Sequence, residues 1–288
     1  MKHIKYFIQF IIIIFLFLVF RFIGLKNSRI FSSFIFKRLG SFFRSNNISL
    51  ENLSIAFPNL DESEKKEIVE KMWANYGKIF SEYMFIKKFR KNSEFSNKIQ
   101  VENQEEIEKI KHHGKPVIFI SGHFNNFELM AMHIEKSEID LAAIYRPLNN
   151  NFLNPIMENI RKKYICKKQI KKGISGTKEI LKEFKNGTSI ALMIDQRVSE
   201  GIICNLFGQT ALTTTIPAQF IKKFNASVVP IYIERLENDN FKLKILKEIK
   251  FPGETSISEI TKQLNEVLEK MIKSNPDQWI WTHNRWKI

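Results

Sequence analysis

The residues best equipped for chemistry lie between Pro116 and Glu128, in the order Pro-Val-Ile-Phe-Ile-Ser-Gly-His-Phe-Asn-Asn-Phe-Glu. His123 follows a Ser-Gly pair, and the carboxylate of Glu128 stands five residues further on. A carboxylate on one imidazole nitrogen fixes the tautomer and leaves the other nitrogen as a base. Within one helix, five steps set two side chains about 140° apart around the axis, too far to meet. His123 is therefore expected on the turn before a helix, folding back toward Glu128. No nucleophile accompanies the pair, since Gly173-Ile-Ser-Gly-Thr177 lacks the G-x-S-x-G spacing. The base would act on a hydroxyl of the substrate. The same residues also fit a strand-end histidine hydrogen-bonded in a loop.

The elements that must position these groups can be read from periodicity. Val117 to Ile120 is a short apolar run, read as a buried strand, and Gly122 permits a tight bend after it. Phe127, Leu129, Met130 and Ile134 indicate the helix that carries Glu128. Asp61-Glu-Ser-Glu64 resembles a capping box. It opens a helix whose apolar stripe runs from Ile68 through Met72, Tyr76 and Phe80 to Met84. Further helices are expected over 104–112, 154–164, 177–184, 213–224 and 257–272, and further strands over 139–145, 189–194, 228–234 and 241–249. Strands alternate with helices from about residue 101 onward. The fold class is therefore α/β: a single domain with a central mixed sheet flanked by helices.

The segment before that domain is of a different kind. Tyr6 to Leu25 is apolar except for Gln9 and Arg21, and about 20 such residues can cross a bilayer. No small-residue cleavage site comes after it, so residues 1–25 read as a retained membrane anchor, with shallow insertion as the rival to a span. Residues 26–100 form a basic, aromatic and helical segment packing on the core at 101–288. Lys and Arg after the apolar run outnumber those before it, which favours a cytoplasmic placement of the downstream residues.

The chain carries 45 Lys plus Arg against 30 acidic residues, a formal net charge of +15 over 288 residues. Such a surface seeks anionic partners. The adjacent anchor selects an anionic membrane or an acidic carrier protein over nucleic acid. Two cysteines, Cys166 and Cys204, exclude a disulfide framework, and the histidine spacing matches no common zinc pattern.

Taken as an ordered set, the motifs resemble the lipid A biosynthesis acyltransferases of the late lauroyl/myristoyl type, within the lysophospholipid acyltransferase superfamily. The set runs through Asn52-Leu53 with Phe57-Pro58, the H-x-x-x-x-E core at His123 and Glu128, Tyr145-Arg146-Pro147 and Arg161. It continues with Asp195-Gln196, Phe207-Gly208, Thr213 and Pro217, and closes on Gln278-Trp279-Ile-Trp281-Thr-His-Asn-Arg285-Trp286. The resemblance implies transfer of a fatty acyl group from acyl carrier protein to a hydroxyl of a lipid A precursor at the cell inner membrane. His123 would be the general base and Glu128 its orienting group. Arg146 and Arg161 would bind anionic groups or developing charge, Asp195 and Gln196 would line the site, and Phe207 and Gly208 would shape it.

A thioester is already activated, so neither a covalent enzyme intermediate nor a cofactor or metal is required. The Phe-Pro-Glu-Gly-Thr-Arg-like motif of glycerophosphate acyltransferases is missing, which lowers phospholipid synthesis as a reading. Arg197 stands where an acidic or small residue is expected. The alternatives are the same fold acting on another glycolipid or a lysophospholipid, and a non-catalytic membrane-tethered binding protein.

Overall fold

The structure is a computed structural model that describes residues 2–287 and, Ser93 apart, their side chains. Met1 and Ile288, the outermost residues of the expected segments, lie outside the described residues. The chain opens with one long helix, α1 (Lys2–Phe43), broken at Gly24 by a backbone at φ 79° and ψ 169°. That left-handed conformation favours glycine. The Ser28 hydroxyl lies 3.0 Å from the Phe20 carbonyl and 2.6 Å from the Gly24 carbonyl, supplying a donor where the ladder is interrupted. α2 (Asn46–Ala56) and α3 (Glu62–Glu82) follow. The expected capping box of α3 is present, with Asp61 accepting from the Glu64 N–H and Glu64 accepting from the Asp61 N–H, both at 2.8 Å. A 3₁₀ turn at Tyr83–Phe85 and the short helices α4 (Ile86–Lys91) and α5 (Ser93–Ser96) lead into the sheet.

The sheet has seven strands: β1 (Ile99–Glu102), β2 (Ile118–Ser121), β3 (Leu141–Tyr145), β4 (Lys168–Lys171), β5 (Ser189–Met193), β8 (Val228–Arg235) and β9 (Phe241–Ile245). Their spatial order is β1-β9-β8-β2-β5-β3-β4. From β8 to β4 all neighbours are parallel; β9 runs antiparallel to β8, and β1 pairs parallel with β9. The sheet is thus mixed, as expected. Central β2 is buried at every position, which is why it reads as a continuous apolar run. A separate antiparallel hairpin, β6 (Ile202–Leu206) with β7 (Gln209–Thr213), stands beside it. The intervening helices are α6 (Gln104–His113), α7 (Glu128–Lys136), α8 (Asn154–Tyr164), α9 (Ile174–Lys185), α10 (Ile216–Phe224) and α11 (Ile257–Ser274).

Two expectations need correction, and one strand was not expected. Thr213 ends β7 and does not begin a helix; α10 starts at Ile216, with Pro217 in its first turn, where proline's missing N–H costs nothing. The last strand stops at Ile245, short of 249. The lysines of Lys168-Gln-Ile-Lys171 belong to β4, an edge strand whose charges suit a free sheet edge.

The helical entrance is fastened to the sheet by a buried ionic cluster. The Glu82 carboxylate, wholly buried, accepts from Arg29 Nε at 2.6 Å, Arg235 Nη1 at 2.6 Å and Asn126 Nδ2 at 2.9 Å. Burial opposes its charge, but the guanidiniums of Arg235 and Arg29 hold its pKa below the ordinary carboxylate value. Both guanidiniums also lie over the Phe241 ring. One carboxylate thus joins α1, α3, β8 and the loop after β2.

Candidate active site

His123 and Asp195 meet because their strands are neighbours. β2 and β5 pair in parallel with Ser121 opposite Met193, so the residues two steps beyond each lie side by side. Both leave the sheet at its carboxyl end, where open α/β sheets bind ligands. His123 Nδ1 lies 2.8 Å from Asp195 Oδ1, and the His123 backbone N–H donates to Asp195 Oδ2 at 2.8 Å. Trp279 Nε1 donates to the same Oδ2 at 2.9 Å. The Asp195 side chain is fully buried, whereas the His123 side chain retains 22% of its exposure. With the carboxylate on Nδ1, the proton sits there, and Nε2 has no hydrogen-bond partner among the described residues.

The tight bend expected after β2 is present, with the Phe124 N–H donating to the Gly122 carbonyl at 2.8 Å, and Gly122 has a second role. A β-carbon there would come within 2.8 Å of the Phe124 ring and 3.2 Å of Asp195 Cβ, so the glycine keeps space for the approach of Asp195.

Electrostatics follow the contacts. Burial disfavours an imidazolium, yet the carboxylate of Asp195 and, less strongly, that of Glu128 hold the His123 pKa above its ordinary value. Burial likewise opposes the Asp195 charge, and His123 with the Trp279 N–H brings its pKa below the usual value.

Glu128 does not touch His123. It is the first residue of α7, and its Oε1 accepts from Arg161 Nε of α8 at 2.8 Å and from the Tyr83 hydroxyl. The expectation that Glu128 orients the imidazole is therefore corrected: Asp195 occupies that position. His123 is indeed on the turn before the helix. Strand register delivers Asp195 to its ring, and α8 and the 3₁₀ turn claim Glu128. Arg161 is consequently paired, its charge balanced by Glu128, and its pKa is raised by that partner against the effect of burial.

Arg146 stands exposed just past β3, without an ion pair or side-chain hydrogen bond to the described residues. Gln196 is half-buried directly after Asp195. Arg197 turns away, its Nε donating to the Lys287 carbonyl at 2.6 Å. Phe207 (φ 55°) and Gly208 (φ 72°) make the two-residue turn of the β6–β7 hairpin. The structure does not bring them onto the His123–Asp195 pair directly. Phe207 packs edge-on against Phe57, Phe57 against Trp281, and Trp281 against Trp279, which holds Asp195.

The sequence alone reads Trp279, Trp281 and Trp286 as packing residues or interfacial anchors. The structure ties their segment to the site, through the Trp279 N–H on Asp195 and through Gln278. Asn125 donates its backbone N–H to the Gln278 carbonyl at 3.0 Å and its side-chain amide to Gln278 Oε1. Asn52 Nδ2 donates to the carbonyls of Trp281 and His283. Burial pushes the His283 pKa down to about 4, so this ring stays neutral near neutral pH. The available signal was hydrogen-bonding capacity: a buried indole needs an acceptor.

A buried carboxylate holds an imidazole with one open nitrogen at the carboxyl end of an α/β sheet, an arrangement with the chemistry a general base requires. The whole chain, residues 1–288, matches the family described as bacterial lipid A biosynthesis acyltransferase, and it belongs to that family. It is an acyltransferase of lipid A biosynthesis. It is 23% identical over 240 residues to lipid A biosynthesis acyltransferase 2 of Shigella flexneri, covering 80% of this chain and 74% of that protein. It is 23% identical over 241 residues to the lipid A biosynthesis lauroyltransferase of Escherichia coli K12, covering 82% and 77%. With the myristoyltransferase of the same organism it shares 21% over 255 residues, covering 86% and 78%.

Proposed function

We propose that this enzyme transfers a fatty acyl chain from an acyl carrier protein thioester to a hydroxyl of a lipid A precursor, with His123 as general base. The observation that carries this reading is the His123–Asp195 pair, with Nε2 as its open nitrogen. His123 Nε2 accepts the proton of the acceptor hydroxyl as the oxygen attacks the thioester carbonyl. Asp195 steadies the resulting imidazolium. The tetrahedral intermediate collapses, the carbon–sulfur bond breaks, and the departing thiolate takes the proton back from Nε2. Atoms and charge balance without a cofactor.

Of Arg146 and Arg161, it is Arg146, exposed and unpaired among the described residues, that is free to bind a phosphate of the acceptor, and a guanidinium does so bidentately. Arg161 is paired with Glu128 and fixes that carboxylate, which raises the His123 pKa, while the guanidinium's own charge lowers it. Gln196 lines the site beside Asp195. The net charge of +15 favours docking of an acidic carrier protein and binding to anionic lipid, both salt-dependent. The catalytic domain faces the cytoplasm at the inner membrane.

The test is acyl transfer by purified, detergent-solubilised enzyme. Mixed-length acyl carrier protein thioesters and a tetra-acylated lipid A precursor are supplied, and products are read by mass. Wild type should add one acyl mass, and His123→Ala should lose roughly 10²–10⁴-fold of the rate while keeping its fold. Near-normal turnover in His123→Ala would remove the base from the mechanism.

A further inference from the structure

Helix α1 is long and apolar enough to cross a membrane, and most of its first half, residues 2–23, is exposed. That half is nevertheless held to the domain at both ends. Near its start, Asn150 Nδ2 donates to the Tyr6 carbonyl at 2.8 Å, and the Phe152 ring packs against Phe7 at 5.5 Å and Phe10 at 6.0 Å. Near its end, Phe17 and Phe20 pack on Phe80 of α3 at 5.3 and 5.9 Å. Asn150 is built for this grip. It is buried, and its Oδ1 accepts from the Phe152 and Leu153 N–H groups, which fixes the loop that carries it.

Tyr6 and Phe20 are about 21 Å apart along a helix, against a hydrocarbon core of about 30 Å. A helix crossing that core would draw the Asn150 loop, Arg146-Pro-Leu-Asn-Asn-Asn-Phe152, to the same depth as Tyr6. Arg146, Asn149 and Asn151 are exposed, and lipid offers their polar groups no partner.

The outward face is equally unlike a water-facing one. Ile4, Ile8, Ile11, Phe15 and Leu18 recur at helical spacing and are half or more exposed. Leu148 and Phe152 add exposed apolar surface from the loop. One side of the helix is covered by protein, and the other is apolar where water would require polar groups. Lys2 and Lys5 at one end and Arg21 and Lys26 at the other are exposed, and none forms an ion pair with a described residue. Cations at both ends of one apolar face match a single layer of anionic headgroups.

We infer that the enzyme seats on one leaflet of an anionic bilayer, with helix 2–23 lying in the interface and both its ends on the catalytic domain's side. This rests on the membrane-bound reading above and replaces a spanning anchor with a monotopic one. The arrangement also sets Arg146, two residues before Leu148, at headgroup level.

Full-length Lys5→Cys and Lys26→Cys variants, made separately, test it. The native Cys166 and Cys204 are buried, and burial pushes the Cys166 thiol up to about 12, so background labelling is low. Sealed inner-membrane vesicles containing each variant are treated with a membrane-impermeant maleimide, with and without detergent, and acyl transfer is measured alongside. The expected result is the same labelled fraction for both cysteines in intact vesicles, a ratio near one. Labelling of one cysteine in intact vesicles and of the other only after detergent would overturn the inference. Transfer persisting with opposite-side labelling would sink the monotopic seat alone. Transfer failing with same-side labelling would sink the functional reading alone.

Discussion

Two buried carboxylates, Asp195 and Glu82, sit on opposite sides of one short loop and do opposite things. Each is almost fully buried, and each is held ionised below its ordinary pKa by hydrogen-bonded partners. Around Glu82 the partners are two guanidiniums and an amide, none of which changes protonation near neutral pH. Around Asp195 they are an indole and an imidazole, and only the imidazole titrates and is partly open. The buried charge is the same in kind; the partner decides whether it fastens the fold or tunes a base. Glu128 lies between the two cases. It is closed off by Arg161 and Tyr83, yet close enough to His123 to raise its pKa.

The largest effect should come from replacing the charge on the catalytic side. Asp195→Asn keeps the shape but removes the carboxylate that selects the Nδ1–H tautomer. Rate should fall roughly 10²–10⁴-fold, the range of a positioned base. The pH profile supplies the sign. His123 has a raised pKa and must be neutral to act, so wild-type activity should rise with pH through an acid limb above the ordinary histidine value of about 6.5. Without the Asp195 charge the ring loses its main raising influence, and the residual limb should move to lower pH. A rate loss with an unmoved limb would assign Asp195 a structural part only.

Removing the charge from the other carboxylate should leave the chemistry and damage the fold. Glu82→Gln strands Arg29 and Arg235 in the interior without their counter-charge. Breaking a buried pair in this way costs about 3–5 kcal/mol, a melting shift on the order of 10 °C for a chain of this size. Turnover per folded molecule should change by less than about tenfold, with the acid limb unmoved, because no Glu82 atom bonds to His123. Thermal unfolding in detergent, set beside initial rates at low temperature, separates the two effects. An unchanged melting temperature would show that the cluster does not fasten the fold.

Much of this contrast was legible in the sequence, and the reasons for the rest are specific. The apolar runs at Val117–Ile120 and Ser189–Ile194, and the α3 stripe with its capping box, name their own elements. His123 and Asp195 were both visible as residues just past expected strands. What joins them is the adjacency of β2 and β5, a tertiary fact that carries equal offsets past two neighbouring strands to one place. Local spacing pointed to Glu128 instead, because five residues along the chain is a more visible relation than seventy-two. The β4 strand was hidden by its lysines, which belong to an edge. Glu82 gave no signal at all, since a glutamate at the end of an amphipathic helix reads as solvated.

The smallest change tests how far the dyad depends on its support. Trp279→Phe removes the indole N–H that donates to Asp195 Oδ2 and leaves an aromatic ring in place. That oxygen still accepts the His123 backbone N–H, so the carboxylate keeps its position. A hydrogen bond to a charged group contributes about 1.5–3 kcal/mol, and partial compensation by the remaining donor should limit the rate loss to roughly tenfold. Losing that donor raises the Asp195 pKa, but the carboxylate stays ionised near neutral pH. The imidazole keeps its counter-charge, and the acid limb should stay where it is in wild type. Trp281→Phe is the matched control. Its indole donates to the Pro276 carbonyl and touches Trp279 only edge-on, at 4.6 Å between ring centroids. If Trp279 acts through Asp195, its variant should lose several-fold more rate than the Trp281 variant at equal thermal stability. Equal losses would reduce both indoles to packing and leave the ring and backbone N–H of His123 to position Asp195.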